Sequence, residues 1–350
     1  TAIKGAYTVG TVKEAEYASG GSVEFVGSEF TFATDGTVTL GQRRYTEELL
    51  ERYGLSECNG AATPEVPASW PAEDAPAPRD VRAAQEAVGA LQWLAHRTRP
   101  DITHPVMLCA SKCTSAPIKT LTSCKRIMRY LKTTSDATLR YCKWSEDDLM
   151  NERRSFFDEM RERRGVPLWE TDREALALYA YGDASFAPAA SLRVADTVGA
   201  ELRSITGTAI RLGRPGQGLL LWSSKRQPMA TASTAESELV AQLALAQQAE
   251  GVSLLLAEIG LRTQTVLHCD NCATLAQMSG TTTHKCRHMA VRAAVLRDLL
   301  ASRQADAEYV PSANQVADVL TKCLGRLKHK IACQQLGLWT SAFEKDDVDD

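Results

Sequence analysis

Hydrophobic and polar residues alternate near the start of the chain and then change to helical spacing. Residues 23–32 and 37–42 alternate around Asp35-Gly36, a dipeptide that favours a β-hairpin. Residues 45–53 predict a helix that ends at Gly54, and residues 83–96 and 124–131 predict two more amphipathic helices. Arg99-Pro100-Asp101 indicates a turn that starts another helix between them. The first part of the chain is therefore expected to be mainly helical after its hairpin.

The second half of the chain alternates between strand and helix patterns. Three strands are predicted in succession at residues 176–182, 204–212 and 217–223, and a long helix follows from Ser233. A strand at 264–269, a short helix after Asn271, a helix at 288–303, a strand at 307–310 and a final helix from about Asn314 complete the pattern. This order predicts an α/β fold, a mixed sheet with helices packed on it.

Composition places the chain among ordinary globular proteins. Its 350 residues favour two or three domains, and 44% hydrophobic with 24% charged residues exclude wholesale disorder and fibrous repeats. No apolar run approaches the ~18 residues of a membrane helix, so no membrane span is expected. Ten scattered cysteines indicate a reducing intracellular compartment. No leader pattern follows Thr1, so no secretory or transit signal is expected.

Positive charge is concentrated in one segment. Residues 97–143 contain ten basic and two acidic residues, although the whole chain has a net charge of −3. Such an excess is typical of a surface that binds a polyanion. The proline-rich residues 64–78 and the mixed-charge residues 145–172 indicate linkers. Domain boundaries are therefore expected near 65–85 and 145–175.

Four acidic residues lie at the ends of predicted elements, where a sheet brings strand ends and helix starts together. They are Asp183 and Asp270 at strand ends, Glu238 early in the long helix and Asp318 early in the last helix. Taken singly, each acid is more typical of a solvated surface, so the prediction depends on the set. Clustered carboxylates repel one another unless cations lie between them, and an all-oxygen ligand set favours Mg²⁺ or Mn²⁺. Glu238 is preferred to Glu236 because Ser233 to Glu236 has the form of a capping box, which occupies Glu236.

Several recognisable motifs follow one another along the chain, among them LWSSKRQPMATASTAESELVA at residues 221–241. This motif resembles the WSSKKQ…SSTEAEY stretch of copia-type LTR retrotransposon Pol polyproteins. Further matches occur in the same order along residues 25–143 and 178–338. They are LGQRRYTEELLERYGL at 40–55, GALQWLAHRTRPDI at 89–102, RIMRYLKTTSD at 126–136, YGDAS at 181–185, HCDN at 268–271, HKCRHM at 284–289 and NQVADVLTK at 314–322.

The resemblance implies a domain arrangement. Residues 176–340 would form a ribonuclease H-like domain, with a mixed five-stranded sheet flanked by helices. Before it would come a reverse-transcriptase palm remnant at 1–70 and a basic thumb-like or connection-like helical region at 80–145. The charge pattern adds a charged linker or insertion at 146–175 and an acidic tail at 341–350. The polymerase YxDD motif is absent, because the Asp-Asp pairs at 147–148, 346–347 and 349–350 lie in charged contexts. This chain is therefore not expected to polymerise DNA alone.

The resemblance also implies an enzyme that hydrolyses the RNA strand of RNA–DNA hybrids with two Mg²⁺ or Mn²⁺ ions. Asp183 would bridge both ions, Glu238 and Asp270 would complete one site, and Asp318 the other. The residues expected to contact nucleic acid are Asn271, His288, Arg97, Arg99, Lys125, Arg126, Arg129 and Lys132. The expected partners are the hybrid and the upstream polymerase part of the same polyprotein, with no membrane. The expected location is intracellular, in a cytoplasmic retrotransposon particle, the nucleus or both.

Two alternatives stay open at this point. Cys269, Cys272, His284 and His288 have the spacing C-x2-C-x11-H-x3-H, which is near that of a zinc finger. Ala276 and Thr282 stand where a finger needs core residues, which disfavours zinc. The second alternative is a catalytically inactive, decayed or domesticated element that still binds nucleic acid through its basic helices. The intact set of four acids argues against it.

Overall fold

The computed structural model describes residues 20–68, 70–144, 175–187, 202–213, 216–280, 289–302 and 304–345. Its N-terminal part opens with three antiparallel strands, β1 (Gly21–Phe25), β2 (Ser28–Phe32) and β3 (Val38–Gly41). The prediction of one continuous strand at 23–32 is wrong, because Val26 and Gly27 adopt positive φ values of 50° and 68° and form a tight turn. Asp35-Gly36 forms the predicted second turn, where Thr37 N donates to Asp35 Oδ1 at 2.8 Å.

Four helices and a short 3-10 turn follow, as the helical spacing predicted. They are α1 (Arg43–Arg52), α2 (Pro78–Arg97), α3 (Thr103–Ala110) and α4 (Pro117–Thr133), with the 3-10 turn Pro100–Ile102 before α3. Proline at the start of α2 and α4 suits a helix N-terminus, where its missing N–H is not needed. Leu49, Leu91 and Ile127 are among the buried residues that hold these helices together.

The second half of the chain contains a mixed five-stranded sheet. Its strands are β5 (Leu176–Ser185), β6 (Ile205–Leu212), β7 (Leu221–Arg226), β8 (Thr263–Cys269) and β9 (Ala305–Tyr309). The spatial order is β7-β6-β5-β8-β9, in which β5, β6 and β7 pair antiparallel and β5, β8 and β9 pair parallel. This topology confirms the expected ribonuclease H-like mixed sheet.

Three helices accompany this sheet: α5 (Thr234–Glu258), α6 (Cys272–Met278) and α7 (Ala290–Ala301). Leu239, Leu245 and Ala249 of α5 are buried in the same cluster as Leu178 of β5. By length and composition α5 could cross a membrane, with a mean hydropathy of 1.3, which the sequence expectation missed. Its packing on the sheet explains this apolar character, since a core helix passes the same test.

The C-terminal segment packs against both halves of the chain. It forms α8 (Arg326–Gln335), β10 (Leu338–Trp339) and α9 (Ser341–Lys345). β10 pairs antiparallel with β4 (Thr138–Tyr141), so the first sheet has the order β1-β2-β3-β4-β10. Leu139 of β4 and Leu338 of β10 share a buried cluster with Ala209 of β6. Residues 146–174 and 346–350 lie outside the described residues, and the domain boundaries stay predictions.

Candidate active site

The middle strand of the second sheet carries the first of the predicted acids. Asp183 lies on β5 opposite Gly207 of β6 and is 3% exposed. A Cβ on Gly207 would lie 2.6 Å from Thr321 Cγ2 and 2.9 Å from Ala317 O. Glycine is therefore needed at position 207 for the segment that contains Asp318 and Thr321 to approach β5. The Thr321 hydroxyl then donates to Asp183 Oδ2.

Two further acids reach Asp183 from neighbouring elements. Glu238 lies in the second turn of α5, and Asp270 directly follows β8, which is parallel to β5. One carboxylate oxygen of each acid lies within 4.8 Å of the others. Ser312 Oγ donates to Asp270 Oδ2 at 2.8 Å and orients that carboxylate. The structure thus brings Asp183, Glu238 and Asp270 together at one edge of the sheet.

The capping arrangement at the start of α5 separates the roles of its two glutamates. Ser233 Oγ accepts from Glu236 N at 3.2 Å, and Glu236 Oε2 accepts from Ala232 N at 2.7 Å. Glu236 also lies 3.8 Å from Arg292 Nη1. The capping role predicted for Glu236 is confirmed, because its carboxylate reaches back to the backbone at Ala232 N. Glu238 is left facing the other two acids.

Burial and mutual repulsion raise the proton affinity of this cluster. Burial, opposed by Lys322 and reinforced by Asp318, raises the pKa of Asp183 to about 6. Burial, followed by the charges of Asp183 and Asp270, raises the pKa of Glu238 to about 9. Within the described part of the chain, Glu238 Oε2 is buried without a hydrogen-bond partner. Hard oxygen donors with an unpartnered buried oxygen fit Mg²⁺ or Mn²⁺.

These shifts predict how the stability of the metal-free protein depends on pH. The pKa of Glu238 is raised from 4.5 to about 9 in the folded state, so its stabilising contribution is present at low pH and is lost as pH rises towards 9. We expect the melting temperature in EDTA to fall between pH 6 and 9, and Mg²⁺ to raise it more at pH 8 than at pH 6. Glu238→Gln, which stays neutral, should flatten this fall, as measured by differential scanning calorimetry.

The control for this measurement is Glu236→Gln, which changes a carboxylate of the same helix outside the cluster. It should keep the wild-type slope, although it weakens the cap. A Glu238→Gln protein that retains the full slope between pH 6 and 9 would contradict this account of the cluster.

Asp318, the fourth predicted acid, is placed differently from the expectation. The prediction of a final helix from Asn314 is wrong, because Asp318 lies in a 3-10 helix, Val316–Leu320, and α8 begins only at Arg326. The contact between Thr321 and Asp183 ends the 3-10 helix there and explains the break. Among the described residues, Asp318 is also not part of the close carboxylate group.

A lysine connects Asp318 to the cluster, and the sequence interpretation missed it. Lys322 Nζ lies 2.9 Å from Asp318 Oδ1 and 3.8 Å from Asp183 Oδ2. Although burial lowers the pKa of Lys322, Asp183 and Asp318 outweigh this effect and raise it. Lys322 is therefore a tethered cation between two of the four acids. The i,i+4 spacing of Asp318 and Lys322 within NQVADVLTK was the signal available in the sequence.

The prediction that Arg99 contacts nucleic acid is wrong, because this side chain is 2% exposed. Its guanidinium donates to both carboxylate oxygens of Asp101, at 3.0 and 2.8 Å. It also donates to Thr134 O at 2.9 Å and to Thr134 Oγ1 at 2.6 Å. Burial opposes both charges, yet their attraction keeps the pKa of Asp101 below and that of Arg99 above its ordinary value. Arg99 is a structural residue.

The other predicted basic contacts lie on or near the surfaces of α2 and α4. Arg97 is exposed and stacks over Trp93, with its guanidinium carbon 4.4 Å from the ring centre. Lys125 is exposed, and Arg126 and Lys132 are half-buried. The Arg129 guanidinium already makes an intramolecular hydrogen bond, because its Nε donates to Asn59 O at 2.7 Å. Arg97 and Lys125 are therefore the exposed cations of this predicted set.

Cys269, Asn271 and Cys272 lie around the start of α6. Asn271 is the N-cap of α6, and its Oδ1 accepts from Thr274 N at 3.0 Å. His288 and His284 lie outside the described residues, so the structure describes only the two cysteines of the zinc-finger spacing. Cys269 is buried, and burial raises the pKa of its thiol to about 12.

The known proteins similar to this chain include longer proteins from plant transposons. The chain is 26% identical over 321 residues, 90% of its length, to the retrovirus-related Pol polyprotein from transposon RE2 of Arabidopsis thaliana. It is 26% identical over 306 residues, 85% of its length, to the corresponding polyprotein from transposon RE1 of the same plant. The chain spans 19% and 18% of these two relatives. No protein-family model matches it.

Among solved structures, LC11-RNase H1, isolated from compost by a metagenomic approach, overlays with a TM-score of 0.30 at 15% sequence identity. The overlay covers 42% of this chain and 92% of that chain.

Proposed function

We propose that this chain, which is homologous over most of its length to Pol polyproteins of plant copia-type transposons, hydrolyses the RNA strand of RNA–DNA hybrids. The observation that carries the proposal is the convergence of Asp183, Glu238 and Asp270 within 4.8 Å on a ribonuclease H-like sheet. The homology agrees with this reaction class, and the chain's activity is inferred from the acids.

The acidic residues would hold the divalent cations that such a reaction needs. Bound Mg²⁺ or Mn²⁺ would activate a water molecule and neutralise the charge that develops on the leaving oxygen. Asp183, Glu238 and Asp270 would provide ligands for one ion, and Asp183 with Asp318 for a second. Lys322 Nζ is 2.9 Å from Asp318 Oδ1, so this lysine would compete with a cation for that carboxylate oxygen.

The chain's own residues prepare the site in three ways. The Thr321 hydroxyl and Ser312 Oγ orient the carboxylates of Asp183 and Asp270. Burial of Asp183 and Glu238 strengthens every electrostatic interaction at the reacting phosphate. Lys322 is positioned to contact a phosphate oxygen once it leaves Asp318. Selection of RNA would come from 2′-hydroxyl contacts, for which Asn271 and Glu238 are the nearest candidates.

The basic residues of α2 and α4 would hold the phosphates of the hybrid. We expect Lys125→Ala with Arg126→Ala to weaken hybrid binding and to reduce the slope of log affinity against log salt by about one for each phosphate that is no longer neutralised. Fluorescence anisotropy with a labelled hybrid in Ca²⁺ measures both quantities. Arg79→Ala removes an exposed cation at the start of α2 and serves as the control. An unchanged salt slope in the double variant would contradict this assignment.

The experiment that tests the activity compares substrates. The chain is incubated in Mg²⁺ with an end-labelled RNA–DNA hybrid, an RNA duplex and a DNA duplex of the same sequence. We expect internal cuts in the RNA of the hybrid alone, leaving 3′-hydroxyl and 5′-phosphate ends. Binding of the hybrid without any cleavage would instead support the inactive nucleic-acid-binding element.

The polyprotein context extends the proposal to partners and location. Because the chain spans 19% of the RE2 relative, we propose that it works beside an upstream polymerase part of the same polyprotein. The site of action would then be a cytoplasmic retrotransposon particle, the nucleus or both. Immunofluorescence of the natural full-length protein, together with fractionation of retrotransposon particles, tests this proposed location.

A further inference from the structure

A buried polar cluster joins the first helices to the C-terminal helix α8. Tyr130 of α4 donates its hydroxyl proton to Asp101 Oδ2 at 2.6 Å, and its oxygen lies 3.0 Å from His329 Nε2 of α8. Cys333, one turn further along α8, has its Sγ 3.5 Å from the same nitrogen. Arg99 completes the cluster through its ion pair with Asp101. All five side chains are buried.

Asp101, His329 and Cys333 are also residue types that bind metals, with ligand atoms within 4.8 Å of one another. Their existing contacts disfavour a metal, since Arg99 and Tyr130 already donate to the Asp101 carboxylate. Burial lowers the pKa of His329 and raises that of Cys333, which keeps both groups neutral. The cluster is therefore closed by its own hydrogen bonds and by the compensated Arg99–Asp101 charge pair.

The other end of α8 contacts the strand that pairs with the Asp183 strand. Arg211 of β6 is 2% exposed, and its Nη1 donates to Gln335 O at the C-terminus of α8, at 2.9 Å. Its Nη2 donates to the Tyr181 hydroxyl at 2.6 Å. Tyr181 precedes Asp183 by two residues on β5. α8 is thus bonded to α4 at one end and, through Arg211, to β5 at the other.

We infer that Tyr130 is a positioning residue, which through α8 fixes the basic face of α4 relative to Asp183. That basic face carries Lys125 and Arg126 within two turns of Tyr130. A hybrid held by these cations then presents one phosphate to the acids, because the spacing between the two surfaces is rigid. The inference rests on the proposed function and deepens it, since it assigns how the cleavage position is chosen.

The test is the distribution of cuts along one hybrid. Tyr130→Phe keeps the ring and removes the hydroxyl that contacts both Asp101 and His329. On a 5′-labelled hybrid of about 30 base pairs, wild type should give one dominant product. In Tyr130→Phe we expect the share of that product to fall about threefold or more while total cleavage stays within about twofold, because orientation and not chemistry is loosened.

Tyr45→Phe is the matched control, because its hydroxyl donates to Ala90 O at 3.3 Å without reaching α8. It should keep the wild-type pattern. If Tyr130→Phe does not fold, Cys333→Ala removes the Sγ contact to His329 and should broaden the cuts in the same way. A wild-type cut pattern in a folded Tyr130→Phe protein would overturn the inference. The inference would also be overturned if the wild-type chain bound one zinc ion and Cys333→Ala bound none.

Hydrogen exchange separates this inference from the proposed activity. In Tyr130→Phe the amides of α8 should exchange about tenfold faster or more, while those of α7 stay unchanged, because the lost hydroxyl contacts His329 of α8. Absence of cleavage by wild type would contradict the proposed function. The exchange rates of the α8 amides would then still test whether Tyr130 anchors α8. Unchanged exchange of α8 would overturn it.

Discussion

Asp183→Asn is expected to reduce cleavage of an RNA–DNA hybrid by at least about a thousandfold, because divalent cations contribute several kcal/mol to such reactions. Asp183 is the acid that lies between the Glu238–Asp270 pair and the Lys322–Asp318 pair. Its loss therefore affects both parts of the site. Initial rates in saturating Mg²⁺ measure the effect.

The same substitution should leave the fold intact. Asparagine keeps an oxygen that can accept from the Thr321 hydroxyl, and it removes a buried charge that repels Glu238. We expect the metal-free variant to melt at or above the wild-type temperature. Glu308→Gln, a half-buried acid of β9 outside the cluster, is the control and should cleave normally. Activity of Asp183→Asn within tenfold of wild type would exclude Asp183 from the catalytic site.

Arg99→Met is expected to destabilise the protein by about 3–5 kcal/mol, because it leaves the Asp101 carboxylate buried without its counter-charge. Asp101 is 0% exposed, and the Tyr130 hydroxyl would be its remaining side-chain donor among the described residues. The two hydrogen bonds to Thr134 disappear as well. Urea unfolding followed by circular dichroism measures the change.

Arg97→Met is the matched control for this prediction. Arg97 lies two residues earlier, is exposed and stacks over Trp93. We expect a decrease of no more than about 1 kcal/mol in stability, the usual value of an exposed cation–π contact, together with weaker hybrid binding. Equal destabilisation by the two variants would contradict the structural role of Arg99.

Local patterns in the sequence were sufficient to predict the second sheet. Strand periodicity and the capping box before α5 depend on near neighbours, and both are found in the structure. The turn at Val26-Gly27 was missed because valine is unfavourable at positive φ, which left Gly27 as a weak turn signal inside an alternating segment. The pairing of β10 with β4 joins segments almost 200 residues apart, and no local pattern specifies such a partner.

The candidate site likewise has residues that the sequence predicted and residues that only the fold places. Element ends and family motifs identified Asp183, Glu238 and Asp270, which the fold brings together. Charge counting could not separate Arg99 from Lys125, because burial depends on which helices pack over a residue. Asp318 was assigned to a helix that a tertiary contact, from Thr321 to Asp183, interrupts. Lys322 acquires its position from that same contact.

The most direct test of the three-acid site is cleavage of one labelled hybrid by wild type and by Asp270→Asn across a Mg²⁺ titration. Asp270 accepts from Ser312 Oγ at 2.8 Å and faces Glu238 and Asp183, so its replacement should weaken the proposed cation site and leave the sheet unchanged. We expect wild type to cut the RNA strand only when Mg²⁺ is present, and Asp270→Asn to bind the hybrid without cutting it. Cleavage in EDTA, or equal cleavage by both proteins, would contradict the assignment of these acids.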